Sequence, residues 1–453
     1  MLVEIVCTML FLLALSKGAL RDRLSFSVIA AYILWYGFWL SVSTFNFYEL
    51  DDVGEQAYIY QMIGVAMIVV GYLWPVSGIV RSPQLKHGIL DMSFERSGVF
   101  ISLIVGLTVW AFFVFLVYQA IVASQRYDSR MVFFENKDLI FGHLYFGYLW
   151  NWFVGPIFNF VLVLLSLRIL RFQLFSFQSL LYGIFVFLYG TVGAGRILYI
   201  QFFLSIAVCW LVGGYADCVS SNAIEKKVSR AKQYGTAIVF AAVLVAAVFV
   251  MGYLTSLRDG DSRVDVDNVL QGVEQFSEQI VVYNTGSFRA FNYGIENGYI
   301  DRIGPLFGRG AFAAVEDLIS TFFAAFGWKP FETSNDILSK WLQDVQIEIG
   351  VDKYFNYAYT QSFIFYMDFG LFGIVFFSFL FGWMFRRVVN NFLSSPNVYS
   401  FFLLVFLTLA LLNSNFSYKL QSLGALVTIG GALVFDLLWK RNARMKSLRF
   451  KRE

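Results

Sequence analysis

Apolar residues run along this chain in long, nearly unbroken stretches separated by short polar ones. A helix needs roughly 20 mostly apolar residues to cross about 30 Å of hydrocarbon. Eleven segments qualify: 2–16, 25–45, 58–80, 98–123, 144–167, 173–190, 197–214, 235–256, 362–385, 398–414 and 420–439. None alternates with the period of a porin-type barrel, and lipid does not tolerate unpaired backbone, so each is expected to be helical. The pattern predicts an all-α polytopic membrane protein with about eleven transmembrane helices. Helices 1–8 fall in residues 1–256, and helices 9–11 with a basic tail in 362–453. Between them, residues 257–361 form one large loop, expected to be ordered and largely helical, because no repeat, Pro-rich linker or low-complexity run interrupts it. Within it, AFAAVEDLISTFFAAFGW (311–328) carries apolar residues at helical spacing around Glu316 and Asp317. Such a helix either lies on the outer leaflet or packs across the mouth of the bundle.

Composition agrees with this pattern. Of 453 residues, 58% are apolar and only 14% charged, with 52 Phe, 25 Tyr and 11 Trp. A soluble domain carries about 25% charged residues, so a soluble enzyme with a peripheral anchor, a secreted disulfide scaffold and a nucleic-acid binder are all excluded. Cys7, Cys209 and Cys218 lie in or beside apolar segments, and neither they nor His87 and His143 have metal-ligand spacing. The first apolar segment has no preceding basic residue and reads as a first span entering from outside, not as a cleaved signal peptide.

Net charge is only +3, but its distribution orients the chain. With the N-terminus outside, cytoplasmic stretches collect 21 of the 34 basic residues, among them Lys17, Arg21, Arg23, Arg386 and Arg387. Short outward connections hold five, and basic residues favour the cytoplasmic side. The reading is N-terminus out and C-terminus cytoplasmic. The 105-residue loop then faces outward, where its eight basic residues meet fifteen acidic ones.

Charges inside the spans are few: Asp368, with Glu4 and Asp436 near helix ends. Asp368 is either a hydrogen-bonding group of the bundle or a reactive carboxylate. Candidate chemistry concentrates on the outward side. GTVGAGRILYI (190–200) places glycines just before Arg196 at the start of a span, where backbone N–H groups and a guanidinium can hold a phosphate. A tight turn with a snorkelling arginine would look the same. YNTGSFRAFNYGIENGYIDRIGPLFGRG (283–310) carries Tyr283, Arg289, Arg302 and Arg309 among aromatics and glycines. That mixture suits a carbohydrate bearing a phosphate, or else the arginines pair with the loop's surplus acids. Asn356, Tyr359 and Thr360, with Gln361, form a polar strip where the ninth span enters the membrane. The acid run DGDSRVDVDN (259–268) lacks EF-hand order and reads as a solvated collar. No Walker, GxSxG or HExxH motif appears.

The glycine-flanked arginine GAGR (193–196) opening a span from outside, one large late outward loop, and the N-x-x-Y-T entry (Asn356, Tyr359, Thr360) leading into D-F-G-x-x-G (368–373) give the chain its family likeness. In these features it resembles the bacterial oligosaccharide repeat-unit (O-antigen, Wzy-type) polymerases. The paired arginine-to-glycine spacing of some members is not found here, which leaves the loop arginines unassigned. The resemblance implies a GT-C-like fold in the bacterial inner membrane and glycosyl transfer on its outer face, with neither cofactor nor metal. Donor and acceptor would be undecaprenyl-pyrophosphate-linked oligosaccharides, and the partners membrane lipids, a flippase and a chain-length regulator. Arg196, with Arg289 or Arg309, would stabilise the departing pyrophosphate. His143, Glu135, Asp336 and Asp368 are the candidate general bases. Arg302, Tyr283, Asn356, Tyr359, Thr360 and Asp368 would contact substrate. An O-antigen ligase, with His143 as its loop histidine, is the second reading, and a polysaccharide or lipid flippase the third.

Overall fold

A computed structural model describes residues 1–20, 22–75, 101–111, 113–114, 150–170, 176–192, 197–220, 266–329, 331–342, 346–355 and 359–450. The elements are almost all helical: α1 (Leu2–Ala19), α2 (Arg23–Val42), α3 (Glu55–Leu73), α4 (Ile101–Ala111), α5 (Gly155–Leu170), α6 (Phe177–Val192) and α7 (Ile197–Ser220). The second half adds α8 (Val266–Glu296), α9 (Tyr299–Ile303), α10 (Ala313–Ala325), α11 (Ser334–Leu342), α12 (Gln361–Phe369), α13 (Leu371–Ser394), α14 (Val398–Leu412) and α15 (Leu423–Phe450). An antiparallel hairpin, β1 (Ile347–Gly350) and β2 (Lys353–Phe355), interrupts the helices. An isolated antiparallel bridge joins Leu50 to Gly350 of this hairpin.

Seven described helices are long and apolar enough to cross a membrane: Leu2–Ala19, Arg23–Phe45, Glu55–Leu73, Trp152–Leu170, Leu371–Ser394, Val398–Asn415 and Leu423–Arg441. This is a polytopic membrane protein. Three shorter apolar helices, Ile101–Ala111, Phe177–Tyr189 and Gln201–Gly213, fall within further expected spans. The expected span 235–256 lies outside the described residues, as does most of the acid run 259–268.

The span expected at 362–385 is not one helix. Gly370 adopts φ +61°, which L side chains rarely take, and ends α12 after nine residues. At 1.5 Å per residue α12 is about 14 Å long, too short to cross. The crossing helix is α13. It packs so closely against α12 that a Cβ on Gly373 would sit 2.0 Å from the Phe365 carbonyl oxygen.

The chain divides into two compact units that do not follow chain order. One comprises Met1–Arg81, Ser277–Asn391 and Leu407–Leu426, and therefore holds most of the large loop. Its core joins loop residues such as Phe291, Leu306 and Ile349 to Phe363, Phe365 and Ile374 of α12 and α13. Helices α3 and α13 meet at glycines: a Cβ on Gly71 would lie 2.0 Å from the Phe379 carbonyl oxygen, and one on Gly382 the same distance from that of Ile68. Small residues allow such backbone approach in membranes. A buried polar chain crosses the same unit: Tyr36 donates to Gln61 (2.5 Å), and Gln61 donates to Thr360 (2.8 Å). The other unit comprises Ser82–Phe276, Phe392–Phe406 and Val427–Glu453. Its core packs Phe158, Val161 and Leu165 of α5 on Tyr182 and Phe185 of α6 and Ile206 of α7. There Asp436 accepts from Asn397 and pairs with Lys440 (2.7 Å), which satisfies one of the few charges expected within a span. Cys209 is a buried free thiol and Cys7 an exposed one.

Helix α10 is amphipathic with its faces reversed. Ala313 and Ala314 are buried, whereas Phe312, Val315, Ile319, Phe322 and Phe326 are exposed along one line. Expected packing of this helix across a bundle mouth would cover that line, and the structure leaves it on the surface.

Candidate functional site

The turn between α9 and α10, residues 305–312, is built onto the C-terminal end of α12. Leu306 N–H donates to the Met367 carbonyl (2.9 Å) and Phe307 N–H to that of Asp368 (3.1 Å). The Asp368 carboxylate then accepts from three amides: Gly308 (3.0 Å), Gly310 (2.8 Å) and Ala311 (2.8 Å). Phe307 and Gly308 take φ of 54° and 89°, and the compact turn they form presents successive N–H groups toward one anion. A Cβ on Gly310 would already be 3.1 Å from Asp368 Oδ1, so the glycine allows the carboxylate to approach. Of the two readings of Asp368, the geometry gives the first: it is fully buried and fastens a turn.

Arg309 projects from this fastened turn. Its Nε lies 2.5 Å from Glu316 Oε1 on α10, and its Nη2 donates to the Glu332 carbonyl (2.9 Å). The guanidinium side chain remains 40% exposed, so solvent reaches it. Ser334, the first residue of α11, closes the cluster by donating its N–H to Glu316 (2.7 Å) and its hydroxyl to the Arg309 carbonyl (2.9 Å). Burial alone would raise the Glu316 carboxyl, but its bonds from Arg309 and Ser334 hold it below the ordinary glutamate value. Burial raises neighbouring Asp317, although Asn335 donates to it.

Asp336, a candidate base, accepts from the Thr333 amide (2.9 Å) and hydroxyl (3.0 Å) while Thr333 Oγ1 accepts from the Asp336 amide (3.2 Å). This is a reciprocal cap on α11, so its carboxylate serves the fold. The Thr333-x-x-Asp336 spacing was readable in ETSNDILSKW as a helix start.

Arg289 lies apart from this cluster. It is 3% exposed and donates from Nε to the Asp51 carbonyl (2.6 Å), from Nη1 to that of Thr285 (3.2 Å) and from Nη2 to that of Ser43 (3.2 Å) and to Asn46 Oδ1 (3.0 Å). Desolvation lowers its pKa. It ties α8 to the α2–α3 connection. The aromatics around it are core: Phe288 and Phe291 are fully buried. Tyr283 is half-buried on α8 against the same core. Tyr359 is 6% exposed and stacks on Phe363, with centroids 4.5 Å apart, and Thr360 caps α12 by accepting from the Phe363 amide (3.1 Å). The expected polar entry strip is therefore interior at both positions. Arg302, in the last turn of α9, is exposed.

The structure thus joins Arg309, Asp336 and Asp368 in one neighbourhood and places Arg289 in another contact. Arg196, His143, Glu135 and Asn356 lie outside the described residues. In the sequence Glu316 is legible only as part of a helix, and Ser334 and Asn335 only as part of the polar candidate stretch ETSNDILSKW (332–341). Among the described residues no three His, Cys, Asp or Glu side chains converge as a metal centre requires. No family model, curated protein or solved structure matches the chain.

Proposed function

We propose that this membrane protein is a metal-independent glycosyltransferase that polymerises undecaprenyl-pyrophosphate-linked oligosaccharide repeat units on the outer face of the bacterial cytoplasmic membrane. The observation that carries the reading is Arg309, a solvent-reachable guanidinium on a turn fixed at three backbone amides. A pre-positioned cation is what a departing pyrophosphate requires. In the reaction an acceptor hydroxyl oxygen bonds the donor's anomeric carbon. The bond from that carbon to the pyrophosphate oxygen breaks with its electron pair, and the hydroxyl proton goes to a base. Asp336 and Asp368 are both engaged by backbone amides, which leaves His143 and Glu135 as the remaining candidate bases. Arg196 is a second candidate cation for the pyrophosphate, and exposed Arg302 is a candidate contact for the glycan.

The same reading includes eleven spans in a GT-C-like arrangement, the N-terminus outside and the C-terminus cytoplasmic. Two contacts support alternating sides. Arg289 joins the 43–54 connection to the large loop, both assigned outward. Arg386 lies 3.5 Å from Asp22, and both belong to stretches assigned to the cytoplasm.

The test is purified protein in liposomes with lipid-linked repeat units. The unaltered chain should yield a ladder of polymer lengths, and Arg196→Ala and Arg309→Ala should each reduce it at least 100-fold. Unchanged ladders from both variants would remove the arginines from the mechanism. Transfer only onto a lipid A core would mark a ligase, and movement of repeat units across the bilayer without bond formation a flippase.

A further inference from the structure

Between Phe312 and Trp328 the only ionisable residues are Glu316 and Asp317, and both turn toward protein, one to Arg309 and Ser334, the other to Asn335. The opposite face exposes Phe312 (53%), Val315 (39%), Ile319 (43%) and Phe326 (71%), followed by Trp328 (61%). A helix against water shows the reverse arrangement, with its apolar stripe inward.

This stripe is continuous with the surface of a crossing helix. Phe312 meets Phe377 of α13 edge-on with centroids 5.9 Å apart, and Phe307 meets Phe369 at 5.9 Å. Phe369 contacts Phe372, which stacks on Phe376 at 5.9 Å. Phe372 and Phe376 occupy the first two turns of α13 and are 64% and 47% exposed, as lipid-facing residues of a span would be. Helix α10 therefore lies level with the end of a span. Its far end carries Trp328 followed by exposed Lys329, an amphipathic ring next to a snorkelling cation, as at a membrane–water interface.

We infer that α10 is an interfacial helix whose Phe312–Phe326 face is seated in the acyl region of the leaflet at the N-terminal end of α13. Its occupant is lipid, because the stripe continues a lipid-facing surface at the depth where headgroups begin. The polar face then holds the Arg309–Glu316 pair at headgroup level. The inference does not depend on the proposed reaction.

Unaltered protein, reconstituted at one copy per vesicle with phosphatidylcholine carrying a photoactivatable diazirine on its acyl chain, tests it directly. Mapped by mass spectrometry after illumination, adducts on Val315, Ile319 and Phe326 should reach within about threefold of those on Phe372 and Phe376. Tyr354, 58% exposed on the hairpin, supplies the background for a water-facing residue. Labelling of the α10 stripe at the Tyr354 level overturns the inference, whether the stripe faces water or is covered by protein.

Discussion

The guanidinium of Arg289 and that of Arg309 belong to the same glycine- and aromatic-rich stretch, yet they do different work. Arg289 donates to three carbonyls and Asn46, so Arg289→Met would leave several buried acceptors without donors and should cost about 3 kcal/mol or more. Thermal unfolding in detergent would show it, and Arg289→Lys should recover only part, because an ammonium cannot reproduce the planar fork. At Arg309 the expected stability loss on substitution by alanine is about 1 kcal/mol or less, since the pair with Glu316 is partly screened. Composition could not separate the two: burial of Arg289 depends on the 43–54 connection, far away in sequence. The acids allow a pH test. Glu316 is held below its ordinary value, so its contribution is present above that value and lost as pH falls through the folded one. Asp317 is raised, so its contribution is full in acid and lost as pH rises through its folded value. Glu316→Gln should flatten the acid-side loss of thermal stability, whereas Asp317→Asn should flatten the loss above the ordinary carboxylate range. Matching profiles for the two variants would contradict the assignment.

At the scale of elements, seven of the eleven segments marked by hydropathy overlap described helices long and apolar enough to cross, because the bilayer imposes that length. Hydropathy failed at 362–385, where α12 and α13 are equally apolar and only Gly370 marks the break. The hairpin was missed for a similar reason: its two short strands, Ile347–Gly350 and Lys353–Phe355, are too brief to show alternation. Closest approach between elements is set by glycine. Gly382→Leu places a side chain against the Ile68 carbonyl, so α3 and α13 must separate. The expected loss is about 3 kcal/mol, within the range for overpacking, with Gly183→Leu, whose Cβ meets nothing within 4 Å, close to neutral. Chemical unfolding of both variants would check the contrast. Asp368→Asn should loosen the 306–311 turn by about 2 kcal/mol, because a carboxylate accepting three amides is replaced by a weaker acceptor. Amide hydrogen exchange at Gly308, Gly310 and Ala311 would accelerate accordingly.

For the whole molecule, the sequence divides naturally at the ends of the large loop, while the structure groups residues 1–81 with 277–391 and 407–426. Hydropathy carries no information on which spans associate, since lipid-facing and buried faces are both apolar. Side assignment came from charge, and it has its own check: a reporter enzyme active only outside the cytoplasm should work when fused after Gly327 and fail when fused after Asn397.

The Arg289–Asp51 bond joins residues 238 apart, and the Gln61–Thr360 bond residues 299 apart. During synthesis the first three helices must therefore enter the bilayer long before their partners emerge from the ribosome. Until then the Gln61 amide nitrogen and the carbonyls of Ser43 and Asp51 can rely only on provisional partners, although Tyr36 can already donate to the Gln61 oxygen. A nascent chain halted before α8 should be an early substrate for membrane proteases, and chaperones that hold incomplete bundles should bind it longest. The tether that rigidifies the finished protein thus fixes when, in the course of translation, the chain first becomes resistant to degradation.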